Sequence, residues 1–510
     1  MPSYLSPGVY VEEVSSGSKP IEGVGTAVAA FVGFAAKGPL NEAVLVTNWT
    51  QFVETFGQFV EGAMLAHSVY GYFLNGGGTA YVVRVGGGPG QPPSQLEGPV
   101  GSRAELPSRG DGRPLVVRAL DSAPAGQPLT VEVHEPSEPG EDVFKLVVKA
   151  GPEEEVFDNV TTRRGAANVV TALRKSKWVV AEEVKGAALA VPQAGGSTVL
   201  APAEPERRPA GVEDYVGDAD ERTGFSGLEA VDDITMLCVP DLMTAYQAGA
   251  IDLVGVKAVQ LAMIAHCELM SDRVAILDAP PGLRPQQIKD WRLNTAGYDS
   301  KYATLYWPWV QVADPRSGKP MYLPPSGHVA GVWARNDETR GVHKAPANEV
   351  IRGVLDLQSS LTRGEHDQLN PIGVNCLRFL PGQGIRIWGA RTLSSDPEWR
   401  YLNVRRLFNY IEKSILTSTN WVVFEPNDEF LWSSVDRTIS AFLRRIWRTG
   451  ALFGRTPEEA FYVKCDAENN PPENRDAGIL TVDIGIAPVK PAEFVVFRLS
   501  QFAEGTELQE

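Results

Sequence analysis

The sequence predicts a multidomain fold of mixed α/β and α+β character, on three observations. At 510 residues the chain exceeds what one hydrophobic core supports. Strand-like apolar runs alternate with helix-length segments towards both ends. Between them lies a stretch rich in Pro, Gly and Glu with only short β-like runs. The expected parts are a strand arm and linker (1–20), a small α/β layer (21–85), an inserted, surface-exposed β-rich domain (86–225), a parallel α/β core (226–375), an α+β part (376–490) and a second strand arm with an acidic tail (491–510).

The first arm contains SPGVYVEEV. Pro7 and Gly8 break the chain, and Val9, Tyr10, Val11, Glu12, Glu13 and Val14 form a strand signal. The polar leash at 15–23 offers no hairpin partner, so the strand's N–H and C=O groups must find a sheet edge elsewhere. The next layer reads as strand 26–35, strand 43–48, a short helix over 50–57 closed by Gly57, a longer helix ending at Gly76 and Gly77, and strand 79–85.

The insert is flanked by linker-like GGGPGQPPSQLEGP and LAPAEPERRPAGVED, and holds the strand runs PLVVRAL, LTVEVHE and VFKLVVKA with a helix in AANVVTALRKS. It also holds RGD at Arg109, Gly110 and Asp111, read as a solvated turn because a tripeptide recurs easily by chance.

From residue 233 the pattern is strand (DITMLCVPDL), long helix (to Met270), strand (DRVAILDAP), helix (RPQQIKDWRLNT) and strand (YATLYWPWVQV), followed by helices at about 325–336 and 347–358. Strands separated by such helices imply right-handed crossovers and a parallel sheet covered on both faces. The last block reads as two strands around PGQG, a helix with Val404, Leu407, Phe408, Ile411 and Ile415 on one stripe, strand WVVFEP, a helix over 428–449, and strands FYVKCD and GILTVDIGIAP: an α+β sandwich. EFVVFRLSQ then supplies an isolated strand near the C-terminus.

The net charge of −16 argues against nucleic acid as the main partner, which requires a basic face. The first residues lack the basic and apolar regions of a signal sequence, and no apolar run approaches the roughly 20 residues that span a bilayer; the expectation is synthesis in a cytoplasm and no membrane contact. Cys238, Cys267, Cys376 and Cys465 are widely spaced and read as small buried hydrophobes in a reducing compartment, with no metal or cofactor implied.

The string with most enzymatic promise is PPSGHVAGVWARND at 324–337. It resembles the segment of subtilisin-like serine proteases in which the nucleophilic serine begins the helix carrying H-V-A-G. His328 to Gly331 match, but the nucleophile's position, five before the histidine, is Leu323. Ser326 is out of place, and no segment supplies a base. There is no phosphate-binding loop, the six histidines are scattered, and no carboxylate pair has acid–base spacing. The expectation is a protein that is not an enzyme.

Together SPGVYVEEV, TAVAAFVGFAAKGPLNEAVLVTNWTQFVETFG, YVVRVGGG, SKYATLYWPWVQVADP, PPSGHVAGVWARNDETRGVHKAPANE, LNPIGVNCLRFLPGQGIRIWGARTLSSDPEWRYLNVRRL and GIAPVKPAEFVVFRLSQ resemble the contractile tail sheath family of phages, R-type pyocins and phage-tail-like injection systems, everywhere except the insert. The resemblance implies a subtilisin-like core without protease function. It also implies that the N-arm strand, Val9 to Val14, and the C-arm strand, Phe494, Val495, Val496, Phe497, Arg498, Leu499, Ser500 and Gln501, add to a sheet in a neighbouring copy. Implied partners are other copies in stacked hexameric rings, an inner tube, a baseplate and a terminal cap. In the second C-terminal helix Arg437, Arg444 and Arg448 share a face with Arg445 beside it, a candidate surface for the tube whose plain alternative is a solvated face. The rival readings are a subtilisin-like hydrolase, opposed by Leu323, and an adhesive surface protein, supported only by RGD and the insert.

Overall fold

The computed structural model describes residues 20–86, 103–109, 114–119, 129–140, 142–150, 153–163, 165, 167–181, 189–200 and 211–496. The chain divides into two compact units, Met1–Gly87 with Pro209–Glu510, and Gly88–Arg208. The N-arm strand Val9–Val14 lies outside the described residues, as do Gly110 and Asp111 of the RGD tripeptide and Phe497–Gln501 of the C-arm.

In the larger unit the first elements are β1 (Val28–Gly33), β2 (Ala43–Val46), α1 (Trp49–Phe56), α2 (Leu65–Leu74) and β3 (Thr79–Arg84). After the insert come β4 (Met236–Cys238), α3 (Leu253–Met270), β5 (Val274–Asp278), β6 (Ala303–Trp307), β7 (Val310–Ala313), β8 (Pro320–Leu323) and α4 (Ser326–Arg340). β9 (Glu349–Val350), β10 (Asp356–Leu357), β11 (Val374–Leu380), β12 (Gly384–Ile387), α5 (Leu402–Ser418), α6 (Glu429–Arg448), β13 (Phe461–Lys464) and β14 (Asp483–Ile486) follow, with shorter helices between them.

A nine-stranded sheet runs β9-β12-β11-β6-β5-β4-β1-β3-β2. The strands from β11 to β3 are mutually parallel, and antiparallel pairs finish each edge, β2 on β3 and β12 on β11. Every residue of β5 and β6 is buried, as expected of central strands covered on both faces. Helix α3 is 18 residues long and apolar enough in length and composition to cross a membrane, but Val256, Val259, Met263 and Cys267 turn its inner face into the core. Helices α2 and α4 approach closely because Gly327 and Gly331 face α2. A Cβ on Gly327 would lie 2.4 Å from the Ser68 carbonyl oxygen, and one on Gly331 2.3 Å from that of Tyr72.

Four expectations fail for identifiable reasons. The insert ends at Arg208, not 225: Tyr215, Phe225 and Leu228 are buried in the main core, and the Tyr215 hydroxyl donates to the Asp241 carbonyl at 2.8 Å. Residues 347–358 are not helical. They hold the short strands β9 and β10, which pair with β12 and β7, so edge pairing overrides local helix preference. WVVFEP is not a strand but a 3-10 turn over Asn420–Val422, with Phe424 at φ +69° and fully exposed. Finally, β11 and β12 extend the main sheet, which leaves the C-terminal part, among the described residues, the two-stranded sheet β13–β14 packed against α6, with α5 beside it. The run YATLYWPWVQV also divides into β6 and β7 at Pro308, which has no N–H to continue a ladder.

The smaller unit is β-rich. A four-stranded antiparallel sheet orders Ser197–Val199, Leu129–His134, Val143–Ala150 and Glu153–Thr161, and a three-stranded one orders Val179–Ala181, Val116–Ala119 and Arg103–Glu105. Val131, Leu146, Val148 and Leu173 lie in its separate core. Arg109 pairs with Val191 in a short ladder and stands 3.6 Å from Glu135.

The C-terminal helices are joined to the main core by Arg406 on α5. Its guanidinium donates to both Asp337 oxygens at 2.9 and 2.6 Å and to the Thr26 carbonyl at 3.0 Å, and lies 4.7 Å from the Trp333 ring centre. Both partners of this ion pair are 3% exposed. Removing one leaves the other charged and dry, which costs about 3–5 kcal/mol. Arg406→Met is therefore expected to lower the urea midpoint of the main unit sharply, followed by tryptophan fluorescence, whereas Asp337→Asn with Arg406→Met together recovers much of the loss.

Candidate functional site

In open α/β sheets chemistry gathers at the carboxyl ends of the parallel strands, and a buried polar cluster occupies that place here. Asp278 ends β5 and accepts from the Ser326 backbone N–H at 2.9 Å and from the Ser326 hydroxyl at 2.6 Å. Asp241, just beyond β4, accepts from Phe34 N–H at 2.7 Å, Leu65 N–H at 3.3 Å, the Thr244 hydroxyl at 3.0 Å, and Met64 N–H. Each carboxylate thus satisfies orphan N–H groups at a helix start, Asp278 for α4 and Asp241 for α2.

Burial raises the Asp241 carboxyl above its ordinary range, with its hydrogen bonds opposing, and raises Asp278 to about 7 against the opposing Ser326 bonds. His328 is lowered to about 4, first by burial and then by the charge of His67; it packs against Gly71 on α2. Leu323 ends β8 and is 1% exposed, while Ser326 is fully buried with its hydroxyl given to Asp278. What this arrangement does is cap two helices. Among the described residues no group of three or more His, Cys, Asp or Glu is placed to hold a metal ion. The four cysteines are buried and unbridged.

The second set of features lies at the two ends of the described residues of the larger unit. Residues 20–27 form a strap across α5 and α6. Ile21 is 1% exposed among Leu407, Ile411, Phe442 and Ile446, and its carbonyl accepts from Arg445. Val24 N–H donates to the Ser414 hydroxyl at 3.2 Å, and Gly23 lies against Tyr410. The polar leash expected over 15–23 is therefore fixed from Ile21 onward. Its one large apolar residue was the available signal.

At the other end, the Arg391 guanidinium donates to both Glu493 oxygens at 2.9 and 2.5 Å, with side chains 10% and 16% exposed. Asn403 donates to the Val489 carbonyl at 3.0 Å. Directly beyond Glu493, Phe494, Val495 and Val496 are 76%, 69% and 77% exposed, belong to no strand, and form no hydrogen bond among the described residues. No local sequence pattern marked Arg391 or Glu493, because their pairing spans 102 residues.

The sheet β13–β14 is two-stranded, so each strand keeps an edge without a strand partner among the described residues. Exposed apolar side chains surround it, including Tyr462, Phe453 and Ile484. On α6, Leu431, Val435, Ile439, Phe442, Leu443 and Ile446 are buried, while Arg437, Arg444, Arg445 and Arg448 are exposed. The four differ in use. Arg445 holds Ile21 and lies 5.8 Å from the Phe442 ring centre, and Arg437 donates to the Ser433 carbonyl at 3.1 Å. Arg444 and Arg448 form no ion pair among the described residues.

The class the fold defines is a parallel α/β body with buried carboxyl groups at the carboxyl edge of its sheet and with residues near both ends of the described chain pinned to it. Residues 211–393 match the phage tail sheath protein central domain and residues 394–502 the phage tail sheath C-terminal domain. The chain belongs to the phage tail sheath family. It is 26% identical to a tail sheath protein of Vibrio phage KVP40 over 59% of this chain, spanning about half (48%) of that relative's length. It is 27% identical to a putative prophage major tail sheath protein of Pseudomonas aeruginosa over 70% of this chain and 89% of the relative. In fold it is similar to the sheath complex of an extracellular contractile injection system, PVC, in the contracted state, with a TM-score of 0.60 at 22% identity over 99% of each chain.

The raised Asp278 carboxyl gives a pH dependence of definite sign. The folded chain holds this proton more tightly than the unfolded chain, whose carboxyl titrates near 3.8. The resulting stabilisation is complete below that value and is lost as pH rises through about 7. Asp278→Asn removes the titration but keeps an acceptor for the Ser326 N–H. Relative to the parent, the variant is expected to gain on the order of a few kcal/mol between pH 4 and pH 8, by urea denaturation at each pH. A constant difference across that range would mean Asp278 titrates normally.

Proposed function

We propose that this chain is the repeating subunit of a contractile sheath. Copies polymerise as a helical sleeve of stacked hexameric rings around an inner tube, between a baseplate and a terminal cap. The sleeve contracts by rigid-body rearrangement and drives the tube through a target envelope. The observation that carries this reading is the match to both tail sheath domains over 211–502, and the exposed Phe494–Val496 segment adds to it. Neither the core, of subtilisin-like topology, nor any other part acts as an enzyme in this reading. The particle assembles in the cytoplasm of a bacterial host.

The physics is β-augmentation. Val9–Val14 of one copy and Phe494–Gln501 of another add as strands to the open edges of β13–β14 in a third. Each backbone bond contributes about 0.5–1.5 kcal/mol net, so an arm of several bonds holds a neighbour while its body turns. The fixed roots suit this work: Ile21 is packed on α6 and Glu493 is paired with Arg391, so each arm would start from a held point. A switch between two packings of rigid bodies then needs no nucleotide hydrolysis. Arg444 and Arg448, with Arg437 on the same face, meet an acidic face of the tube. Arg445 is withdrawn from that role by its bond to Ile21.

Two experiments test the reading. The full chain is expected to form tubular polymers in negative-stain electron microscopy, and a chain lacking residues 1–14 to remain unassembled; if the truncated chain polymerises equally well, the N-arm is not an intersubunit strand. Arg444→Glu with Arg448→Glu is expected to leave sheath polymers intact but to lower co-sedimentation with the tube roughly tenfold, and unchanged co-sedimentation removes the tube-facing assignment.

A further inference from the structure

The root of the C-arm borders a cavity of about 1020 Å³ between the strap Val489–Val495 and the segments around Arg340, Arg363 and Arg378. Six cationic side chains line it: Arg340, Lys344, Arg363, Arg378, Arg391 and Lys490. Asp367 and Glu493 are the acids. Glu493 is consumed by Arg391, and Lys344 pairs with Glu349 at 2.7 Å. Arg340, Arg363 and Lys490 are exposed and form no ion pair among the described residues. In a chain of net charge −16 this is a strongly positive concavity, and its field attracts a short acidic segment.

Such a segment begins at the cavity itself. Phe494 and Val495 line it, and the chain continues through residues 497–510, whose charges are Arg498 and then Glu504, Glu507 and Glu510, so that the acidic part is 504–510. At full extension that length reaches roughly 45 Å, more than enough to fold back. We propose that in the unassembled subunit the acidic tail docks into this basic groove of its own chain, and so sequesters the C-arm strand until a neighbour takes it up. Tethering gives the tail an effective concentration in the mM range at the groove, so docking needs a dissociation constant of only about 1 mM, to which the ion pairs and the apolar Phe502 and Leu508 would both contribute. The edge-strand hazard of Phe494–Gln501 is thereby covered before assembly. The consequence for polymerisation rests on the sheath reading; the docking itself does not.

The test uses the full chain with a photocrosslinking amino acid in place of Leu508, in low salt and below the concentration of assembly. Isotopically distinct chains are mixed so that links within and between chains are separated by mass. The expected result is crosslinking within one chain to the segments around Arg340, Arg363 and Lys490. Yield should fall roughly tenfold when Glu504, Glu507 and Glu510 are changed to Gln, or at about 0.5 M salt. Arg340→Glu, Arg363→Glu and Lys490→Glu together should abolish it, and Glu504→Lys, Glu507→Lys and Glu510→Lys added to that variant should restore it. In turbidity assays the glutamine variant should nucleate polymers a few-fold faster than the parent. Links elsewhere, links mainly between chains, or a yield indifferent to the charges would overturn the proposal. If the parent never polymerises while the intrachain links persist, the sheath reading fails and the docking stands.

Discussion

The buried contact between Arg406 and Asp337 is the constraint on which the larger unit depends. One guanidinium ties α5 to α4 through two short bonds, to the strap through the Thr26 carbonyl, and to the core through Trp333. Only arginine has the donor geometry to do this at once. Burying the pair adds little to stability compared with apolar residues of similar shape. What it provides is registration: the sheet, the C-terminal helices and the strap at 20–27 are tied at one point.

The same economy governs the carboxyl edge of the sheet. There Asp241 and Asp278 are turned to helix starts, and Gly327 and Gly331 bring α2 and α4 close together. An open crevice at this place is what an enzyme of this architecture needs. Filling it yields a rigid block, with Ser326 and His328 serving as packed groups in the interior. In the proposed sheath, a body that transmits force between neighbours would gain from such stiffness, because close-packed interiors shift between discrete arrangements and do not deform gradually.

In the sheath proposed above, polymer formation would fall to backbone groups that the body leaves unpaired. The two-stranded β13–β14 sheet leaves edges without a strand partner among the described residues, and Phe494–Val496 leave the Glu493 anchor exposed and outside any strand. Charge is distributed accordingly. Net acidity keeps free subunits apart in solution, while cations concentrate on α6 and in the groove at the C-arm root.

Much of this was legible in the sequence. The period of apolar residues located β1 to β3, α3, α4, α5 and α6, since patterned segments of that length have few alternatives. The absence of a nucleophile at Leu323 was a matter of reading one residue, and the spare strand signals at both termini posed the question of assembly directly. The tertiary structure decided the rest. It drew β11 and β12 into the main sheet, turned residues 347–358 into edge strands and Phe424 out of any strand, and gave Arg445 to Ile21. Those outcomes depend on partners far away in the chain: Arg445 and Ile21 are 424 residues apart, and Arg391 and Glu493 are 102 apart. Local pattern records what a segment prefers, but a buried hydrogen bond or a sheet edge is satisfied only by what the completed fold brings beside it.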